Sequence, residues 1–167
     1  GKPSGKRQRQ ETPQPATPDA VIQVIKTLLP DTSFDRVSVG FPGVVVGGVI
    51  LSAPNLHQSF AGFDLQSALN RLTERPVRVL NDAGLQGLGA ISGSGTEVVI
   101  TLGTGMGFAI YVDGSYVPNV ELAHHPLRKS RTYEELVGNR ARKQLGNRKW
   151  SKRVLQALSQ IQATFNP

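Results

Sequence analysis

Three short polar stretches supply the residue types that phosphoryl transfer to a hydroxyl group requires. Asn81-Asp82 offers an amide and a carboxylate, Gly103-Thr104-Gly105 offers a glycine-rich turn, and Glu121-Leu122-Ala123-His124 offers an acid and an imidazole. A carboxylate can accept the proton of the attacking hydroxyl, and backbone N–H groups beside glycines can hold the transferred phosphate. The remaining side chains can fix the other hydroxyls of a sugar. A fold that brings the three stretches together would therefore form a catalytic cleft.

The glycine-rich turn lies between two apolar segments, Val98-Val99-Ile100 and Phe108-Ala109-Ile110-Tyr111-Val112. This pattern predicts a strand, a tight turn and a second strand, with Thr101 and Thr104 as further hydroxyl donors. Glycines let the backbone approach an anion closely and direct successive N–H donors at it. An ordinary β-hairpin explains the same pattern, because many hairpins turn on glycine. The turn alone does not separate the two interpretations.

The elements before this hairpin alternate between helices and strands. The pattern predicts a helix that Thr17 caps and Pro30 ends, a strand over 36–41, a hairpin turning at Gly47-Gly48, a helix over 64–72, a strand over 77–80 and a short helix over 83–90. This order predicts a largely parallel α/β lobe, in which ligands bind at the carboxyl ends of strands. Asn81-Asp82 occupies such an end.

Two helices are predicted near the C-terminus, over 133–145 and 151–165. The second has an apolar face that is expected to pack on a sheet. That face consists of Val154, Leu155, Leu158, Ile161 and Phe165.

Charge is distributed unevenly along the 167 residues, which carry a net charge of +7. Residues 128–153 hold ten Lys or Arg against Glu134 and Glu135, whereas residues 12–127 hold five basic and nine acidic residues. A basic region of this kind predicts a polyanionic partner. Aromatic residues are scarce among these charges, which disfavours single-stranded nucleic acid. A solvated helix face explains the same charges without any partner.

Composition excludes several classes of site and protein. The chain has no cysteine, which rules out disulfides and thiolate metal sites and fits a reducing compartment. No apolar run approaches the roughly 18–20 residues of a spanning helix, and the basic N-terminal segment lacks the apolar core of a signal peptide. The sequence therefore predicts a cytoplasmic location without a membrane partner.

Seven short segments of the chain follow one another in an order known from a protein family. They are the segments 40–45, 53–56, 79–83, 102–107, 118–119, 121–124 and 133–135. In this order they resemble the ROK family of sugar kinases (repressor, open reading frame, kinase), and most closely its polyphosphate glucokinases. No single segment is specific, and the order of all seven carries the resemblance. The resemblance begins at Thr12 and covers essentially all of the chain from there.

The resemblance implies an α/β fold of the actin and hexokinase type, which is ribonuclease H-like and two-lobed, and which is incomplete in this chain. Residues 1–92 would form most of the first lobe and residues 93–167 the beginning of the second. The family's opening hairpin with its first phosphate loop, and its segment beyond an Asn-Pro like Asn166-Pro167, have no counterpart here. We therefore expect residues 1–167 alone not to phosphorylate glucose.

The resemblance also assigns roles to individual residues. Asp82 matches the catalytic base that takes the proton from the sugar's 6-hydroxyl. The matched sugar ligands are Asn55, Asn81, Glu121, His124 and Glu134. The matched phosphate-binding residues are Gly103, Thr104, Gly105 and Gly107.

Each of these roles has a plainer structural alternative. Asn81-Asp82 would serve as a helix cap in any protein. Glu121 and His124 would form a surface ion pair, and Glu134 and its neighbour Glu135 would be favourable acids in the first turn of a helix. Glu135 is also able to take the role that the resemblance gives to Glu134.

The implied activity is transfer of a phosphoryl group from polyphosphate or ATP to the 6-hydroxyl of glucose or a similar hexose, with Mg²⁺ bridging the phosphates. Zinc is not expected, because the family's cysteine-rich motif is absent, and a metal site at His124-His125 lacks further ligands. Two other departures are Ala123, where the family has glycine, and Gly84, where it often has a second aspartate.

Two other functions stay open beside the kinase. A sugar-binding ROK regulator is disfavoured, because residues 1–18 are too short and too rich in proline for a helix-turn-helix domain, so no DNA partner is expected. A non-catalytic remnant that binds sugar or polyphosphate would carry the same candidate site residues as the enzyme, so these residues do not separate the two. The oligomeric state also stays open, with a homodimer among the options.

Overall fold

The computed structural model describes residues 5–54 and 56–167. The chain divides into two compact units, the first ending at Leu80 and the second running from Asn81 to Pro167. Each unit has its own hydrophobic core. The assignment of residues 1–92 and 93–167 to two lobes of the family fold stays a prediction.

The first unit follows the predicted order of elements closely. Its elements are α1 (Pro18–Leu28), β1 (Val37–Phe41), β2 (Val44–Val46), β3 (Val49–Ser52), a 3-10 turn (Gln58–Phe60), α2 (Leu65–Thr73) and β4 (Val77–Asn81). Helix α1 begins as predicted, because the Thr17 hydroxyl accepts a hydrogen bond from the Ala20 N–H (3.3 Å) and Pro18 occupies the first turn. Asp64 caps α2 in the same way through the Ser67 N–H (2.9 Å).

The strands of the first unit form smaller sheets than the largely parallel sheet that the sequence predicted. Among the described residues, β1 pairs with β4, and β2 pairs separately with β3. The β2–β3 pair is antiparallel, because the two-residue turn Gly47-Gly48 reverses the chain directly. Val37 at the start of β1 donates to the carbonyl of Pro76 (2.9 Å), just before β4, so these two strands begin side by side.

The core of the first unit joins its strands to both helices. Ile50 and Phe60 are fully buried, and Phe60 stacks on Phe41 with ring centroids 5.3 Å apart. Leu65 and Leu69 of α2 complete the packing. Burial of one such side chain stabilises the fold by about 1.5–3 kcal/mol.

The second unit contains the three stretches that suggested phosphoryl transfer. Its elements are α3 (Asp82–Gly87), β5 (Thr96–Leu102), β6 (Met106–Val112), β7 (Ser115–Val117), β8 (Pro126–Arg128), β9 (Arg131–Thr132), α4 (Tyr133–Val137) and α5 (Asn139–Phe165). Strands β5, β6 and β7 form an antiparallel meander in that order. This sheet packs against α4 and α5 through the core that contains Phe108 and Ile161.

The predicted helix over 133–145 is correct except at Gly138 (ψ 169°), where the chain leaves helical geometry between α4 and α5. A β-carbon on Gly138 would lie 2.8 Å from the carbonyl oxygen of Glu134 and 3.0 Å from that of Thr104, so no side chain fits there. Helix α5 has a break at Gly146 (φ 72°) and resumes before Ser151, so the predicted separation of two helices is present but shorter than expected. The indole N–H of Trp150 donates to the Val137 carbonyl (2.7 Å) and ties α5 to α4.

The predicted apolar face of the last helix is partly wrong. Val154, Ile161 and Phe165 pack on the core, but Leu155 and Leu158 are 62% and 42% exposed. Ala157 takes the buried position between Val154 and Ile161. Among the described residues, no helix combines the length and apolar character needed to cross a bilayer.

Candidate active site

Asn81 and Asp82 lie at the junction between β4 and α3, as the sequence predicted. The Asn81 Oδ1 accepts hydrogen bonds from the N–H groups of Ala83 (3.0 Å) and Gly84 (3.3 Å), so Asn81 caps α3. The Asp82 Oδ1 accepts from the same Ala83 N–H (2.8 Å). Asn81 therefore caps α3, and its role as a sugar ligand stays a prediction. The bond to Ala83 fixes the direction of the half-buried Asp82 carboxylate.

Helix α3 is seated on the sheet through two glycines, and this positions Asp82. A β-carbon on Gly84 would overlap the ring of Tyr116, and one on Gly87 would overlap Tyr111. The Tyr111 hydroxyl donates to the carbonyl of Gly84 (2.5 Å). This packing explains the departure at Gly84, because no side chain fits between α3 and Tyr116.

Tyr116 on β7 connects two of the predicted site residues. Burial raises the pKa of Tyr116, and the negative charges of Glu121 and Asp82 raise this pKa further. The two carboxylates therefore act on the same phenol, and the structure brings the proposed base and a proposed sugar ligand to one place. Sequence reasoning missed Tyr116. Its only signal is the Tyr111–Tyr116 pairing across the Asp113-Gly114 turn.

The glycine-rich turn joins β5 to β6 as predicted, with Leu102 opposite Met106. The Gly103 N–H donates to the carbonyl of Gly105 (3.0 Å), so this N–H closes the turn instead of pointing outward. Gly103 and Thr104 are exposed at its tip. The donors left for a phosphate are the N–H and hydroxyl of Thr104 and the N–H of Gly105, fewer than the sequence suggested.

The start of α5 and the side chain of Glu134 support this turn from behind. The Asn139 N–H donates to the Gly103 carbonyl (3.0 Å). The Glu134 carboxylate lies against Gly105, where a β-carbon would overlap its Oε2. A β-carbon on Gly107 would lie 3.0 Å from that of Ala83, the neighbour of Asp82. The turn is therefore in contact with the segments that carry both Glu134 and Asp82.

Glu134 and Glu135, which the sequence could not distinguish, have different roles. The Glu135 Oε2 accepts from the Thr132 N–H (2.8 Å), and the Thr132 hydroxyl accepts from the Glu135 N–H (3.2 Å). This reciprocal capping box begins α4. Glu135 is thus engaged in the cap, and Glu134 is the acid that faces the glycine turn.

The segment with Glu121 and His124 is fastened to the start of α4. The carbonyl of Ala123 accepts from the Glu134 N–H (3.0 Å), and that of His125 accepts from the Tyr133 N–H (3.1 Å). Ala123 is buried, and the Glu121 and His124 side chains are exposed. No ion pair between Glu121 and His124 is found in the part of the chain that the structure describes.

The described contacts include neither Asn55 nor His124. Asn55 lies outside the described residues. Within the described ranges, no hydrogen bond joins His124 to Asp82 or Glu134. No cluster of three or more metal-ligating side chains is found in residues 5–54 and 56–167.

The sequence of this chain matches a known protein family. The profile of the ROK family matches residues 4–120, and the chain is a member of that family. Its curated relatives include the polyphosphate glucokinases of Mycobacterium leprae, 30% identical over 98% of this chain, and of Mycobacterium tuberculosis H37Rv, also 30% identical over 98% of it. The chain spans 53% and 65% of the lengths of these two relatives.

Solved structures confirm the predicted fold class. An inorganic polyphosphate/ATP-glucomannokinase from Arthrobacter sp. strain KM is 34% identical, with a TM-score of 0.79 over 99% of this chain and 72% of that one. A ROK family glucokinase from Streptomyces griseus, solved in complex with glucose and AMPPNP, is 22% identical, with a TM-score of 0.59 over 74% of this chain and 46% of that one. The chain therefore has the α/β fold of ROK and hexokinase-like kinases.

Proposed function

We propose that the protein containing these residues is a sugar kinase that transfers a phosphoryl group from polyphosphate or ATP to the 6-hydroxyl of glucose or a similar hexose. Two observations in the second unit support the proposal: the Glu134 carboxylate lies against Gly105 of the glycine turn, and Asp82 and Glu121 both raise the pKa of Tyr116. The names of the relatives support it, because they include polyphosphate glucokinases and a polyphosphate/ATP-glucomannokinase.

In this proposal Asp82 is the general base. Its carboxylate accepts the proton of the 6-hydroxyl as that oxygen attacks the terminal phosphorus of the donor. The bond between this phosphorus and the bridging oxygen breaks, and the shortened polyphosphate or ADP leaves with the bonding electrons. The hydrogen bond from Ala83 holds Asp82 in one orientation, which favours the in-line geometry that the reaction needs.

The other acids and His124 have a binding role in the proposal. Glu121, Glu134 and the His124 imidazole would accept or donate hydrogen bonds to the remaining sugar hydroxyls, with Asn81 and Asn55 as further ligands. Thr104 and Gly105 would donate to the phosphate that is transferred. Hydrogen bonds of this kind set the sugar's affinity and orientation more than the rate of proton transfer.

Mg²⁺ fits this site as an ion carried by the donor. The described residues contain no cluster that would hold it alone, but the carboxylate oxygens of Asp82 and Glu121 are ligands of the type it prefers beside phosphate oxygens. When bound, it would neutralise charge on the phosphates.

A direct assay tests the proposal. The complete gene product is incubated with glucose and either long-chain polyphosphate or ATP, and glucose 6-phosphate is measured. Formation of glucose 6-phosphate that depends on protein and on at least one donor is expected. Glucose binding without product from either donor would show that the protein is a non-catalytic sugar binder, and would contradict the proposed activity.

A further inference from the structure

A second, strongly basic pocket lies in the second unit, apart from the glycine turn. It is a cavity of about 260 Å³ formed by the β8–β9 hairpin, α4 and α5. Four of its lining residues are cationic, and no described lining residue is acidic or aromatic. The lining residues are Leu127, Arg128, Lys129, Arg131, Leu136, Arg153 and Gln156.

The hairpin holds its cations in an arrangement that is unfavourable without a ligand. Arg128 lies directly opposite Arg131 across the β8–β9 pair, and like charges in this position repel. Lys129 and Ser130 connect the two arginines with φ angles of 49° and 58°, which residues other than glycine rarely adopt. An anion bound between the arginines would offset the repulsion.

The surrounding structure holds Arg131 by a hydrogen bond and partly buries Arg153. The Arg131 Nη2 donates to the backbone carbonyl of Glu135 (3.1 Å), which leaves further guanidinium N–H groups for a ligand. Arg153 enters from α5 and is partly buried. The two nearest acids along the chain, Glu134 and Glu135, do not line the pocket. The Glu134 carboxylate lies against Gly105, and the Glu135 Oε2 accepts a hydrogen bond from the Thr132 N–H.

We propose that this pocket binds inorganic polyphosphate, as an anchor for part of the chain other than the phosphate being transferred; the inference rests on the proposed function. Guanidinium groups match phosphate oxygens in geometry and charge, and several of them together suit a polymer with one charge at each phosphate. A nucleic acid fits less well, because the pocket offers no aromatic side chain on which a base could stack.

The pocket is distinct from the glycine turn, yet the short helix α4 connects the two. Glu134 of α4 lies against Gly105, and Leu136 of the same helix lines the pocket. A long polyphosphate could contact both the glycine turn and the pocket. ATP carries few charges and would gain little affinity from the pocket. Of the basic residues in 128–153, only Arg128, Lys129, Arg131 and Arg153 belong to the pocket.

The test measures binding of long-chain polyphosphate to the complete gene product at several salt concentrations, without glucose. The pocket variant combines Arg128→Gln with Arg131→Gln. The matched control combines Lys149→Gln with Lys152→Gln, which removes the same charge outside the pocket. We expect the pocket variant to weaken binding by about 10-fold or more and to reduce the salt dependence, and the control to change affinity by less than about 2-fold.

An equal loss of polyphosphate affinity in the pocket variant and the control would overturn the proposal, because it would show only a general effect of charge. An oligo-dT strand that binds as tightly as polyphosphate and is weakened by the same pocket variant would overturn it in favour of nucleic acid. If circular dichroism shows that the double variant is unfolded, Arg153→Gln replaces it with the same expectation.

The proposed pocket and the proposed kinase activity can each be contradicted without the other, because the two cases give different experimental results. Polyphosphate binding that depends on the pocket, in a protein that phosphorylates no glucose, would support the anchor and contradict only the kinase. Polyphosphate-driven turnover with an unchanged KM for polyphosphate in the pocket variant would support the kinase and contradict only the anchor.

Discussion

The Glu134 carboxylate lies directly against the backbone of Gly105, with no space for a β-carbon between them. A proposed sugar ligand is therefore in contact with a residue of the proposed phosphate loop. The position of Glu134 follows from α4, which a capping box between Thr132 and Glu135 begins. The absence of a side chain at Gly105 is thus a condition for placing this acid.

Substitution of Gly105 tests this contact. We expect Gly105→Ala to displace Glu134 and to weaken glucose binding, measured by calorimetry without a donor, by about 10-fold. Gly103→Ala is the matched control, because a β-carbon there meets no atom within 4 Å. Glucose affinity that falls equally in both variants, or in neither, would contradict the proposed position of Glu134.

Substitution of Gly84 tests how α3 is seated. Gly84→Ala places a methyl group into the ring of Tyr116, and we expect a loss of about 1–3 kcal/mol in the free energy of unfolding. Gly89→Ala is the control, since its β-carbon would approach its nearest neighbour only to 3.5 Å. Urea denaturation of both variants measures the difference, and similar midpoints would show that α3 is not packed this closely.

The buried tyrosines predict a loss of stability at high pH. Burial, with a smaller contribution from Tyr116, raises the pKa of Tyr111 from 10.0 to about 12. The unfolded chain therefore releases this proton first, and stability is fully present below about pH 10 and falls as the pH rises towards 12.

Tyr111→Phe checks this prediction. The variant loses the hydrogen bond to the Gly84 carbonyl, which costs about 1 kcal/mol at neutral pH. Between about pH 8 and about pH 11, the free energy of unfolding of the variant should fall by less than that of the unmodified protein. Urea denaturation at the two pH values measures both changes. Equal losses would mean that Tyr111 does not contribute to the alkaline transition.

Glu121 and His124 are expected to affect sugar binding more than turnover. In the complete gene product, Glu121→Gln and His124→Ala should each raise the KM for glucose by about 10-fold, with a much smaller change in kcat. Steady-state kinetics at a saturating donor concentration measures both quantities. A KM for glucose that stays unchanged in both variants would remove these residues from the site.

Features that depend on neighbouring residues were predictable from the sequence. The cap at Thr17, the turn at Gly47-Gly48 and the β5–β6 hairpin all depend on local hydrogen bonding and backbone preference. Asn81-Asp82 was correctly placed at the end of a strand for the same reason. The resemblance to the ROK family then supplied roles that spacing alone would not have assigned.

Features that depend on distant contacts were not predictable. The helix over 133–145 is broken at Gly138, where a β-carbon would meet the carbonyl oxygens of Glu134 and of the distant Thr104. Tyr116 was missed, because it packs against Gly84 and is affected by the charge of Asp82, and both residues are remote from it in sequence. The spacing of Leu155 from the other apolar residues predicted that it lies on the buried face of the helix, but it lies on the exposed side of α5.

The turnover of an Asp82→Asn variant tests the central claim most directly. Asparagine keeps an Oδ1 that can accept from the Ala83 N–H, so the fold and most of the glucose affinity should be retained. Because the amide cannot act as a base, kcat for glucose 6-phosphate formation by the complete gene product should fall by at least about 100-fold with either donor. A folded Asp82→Asn protein with near-normal kcat would contradict the assignment of Asp82 as the base.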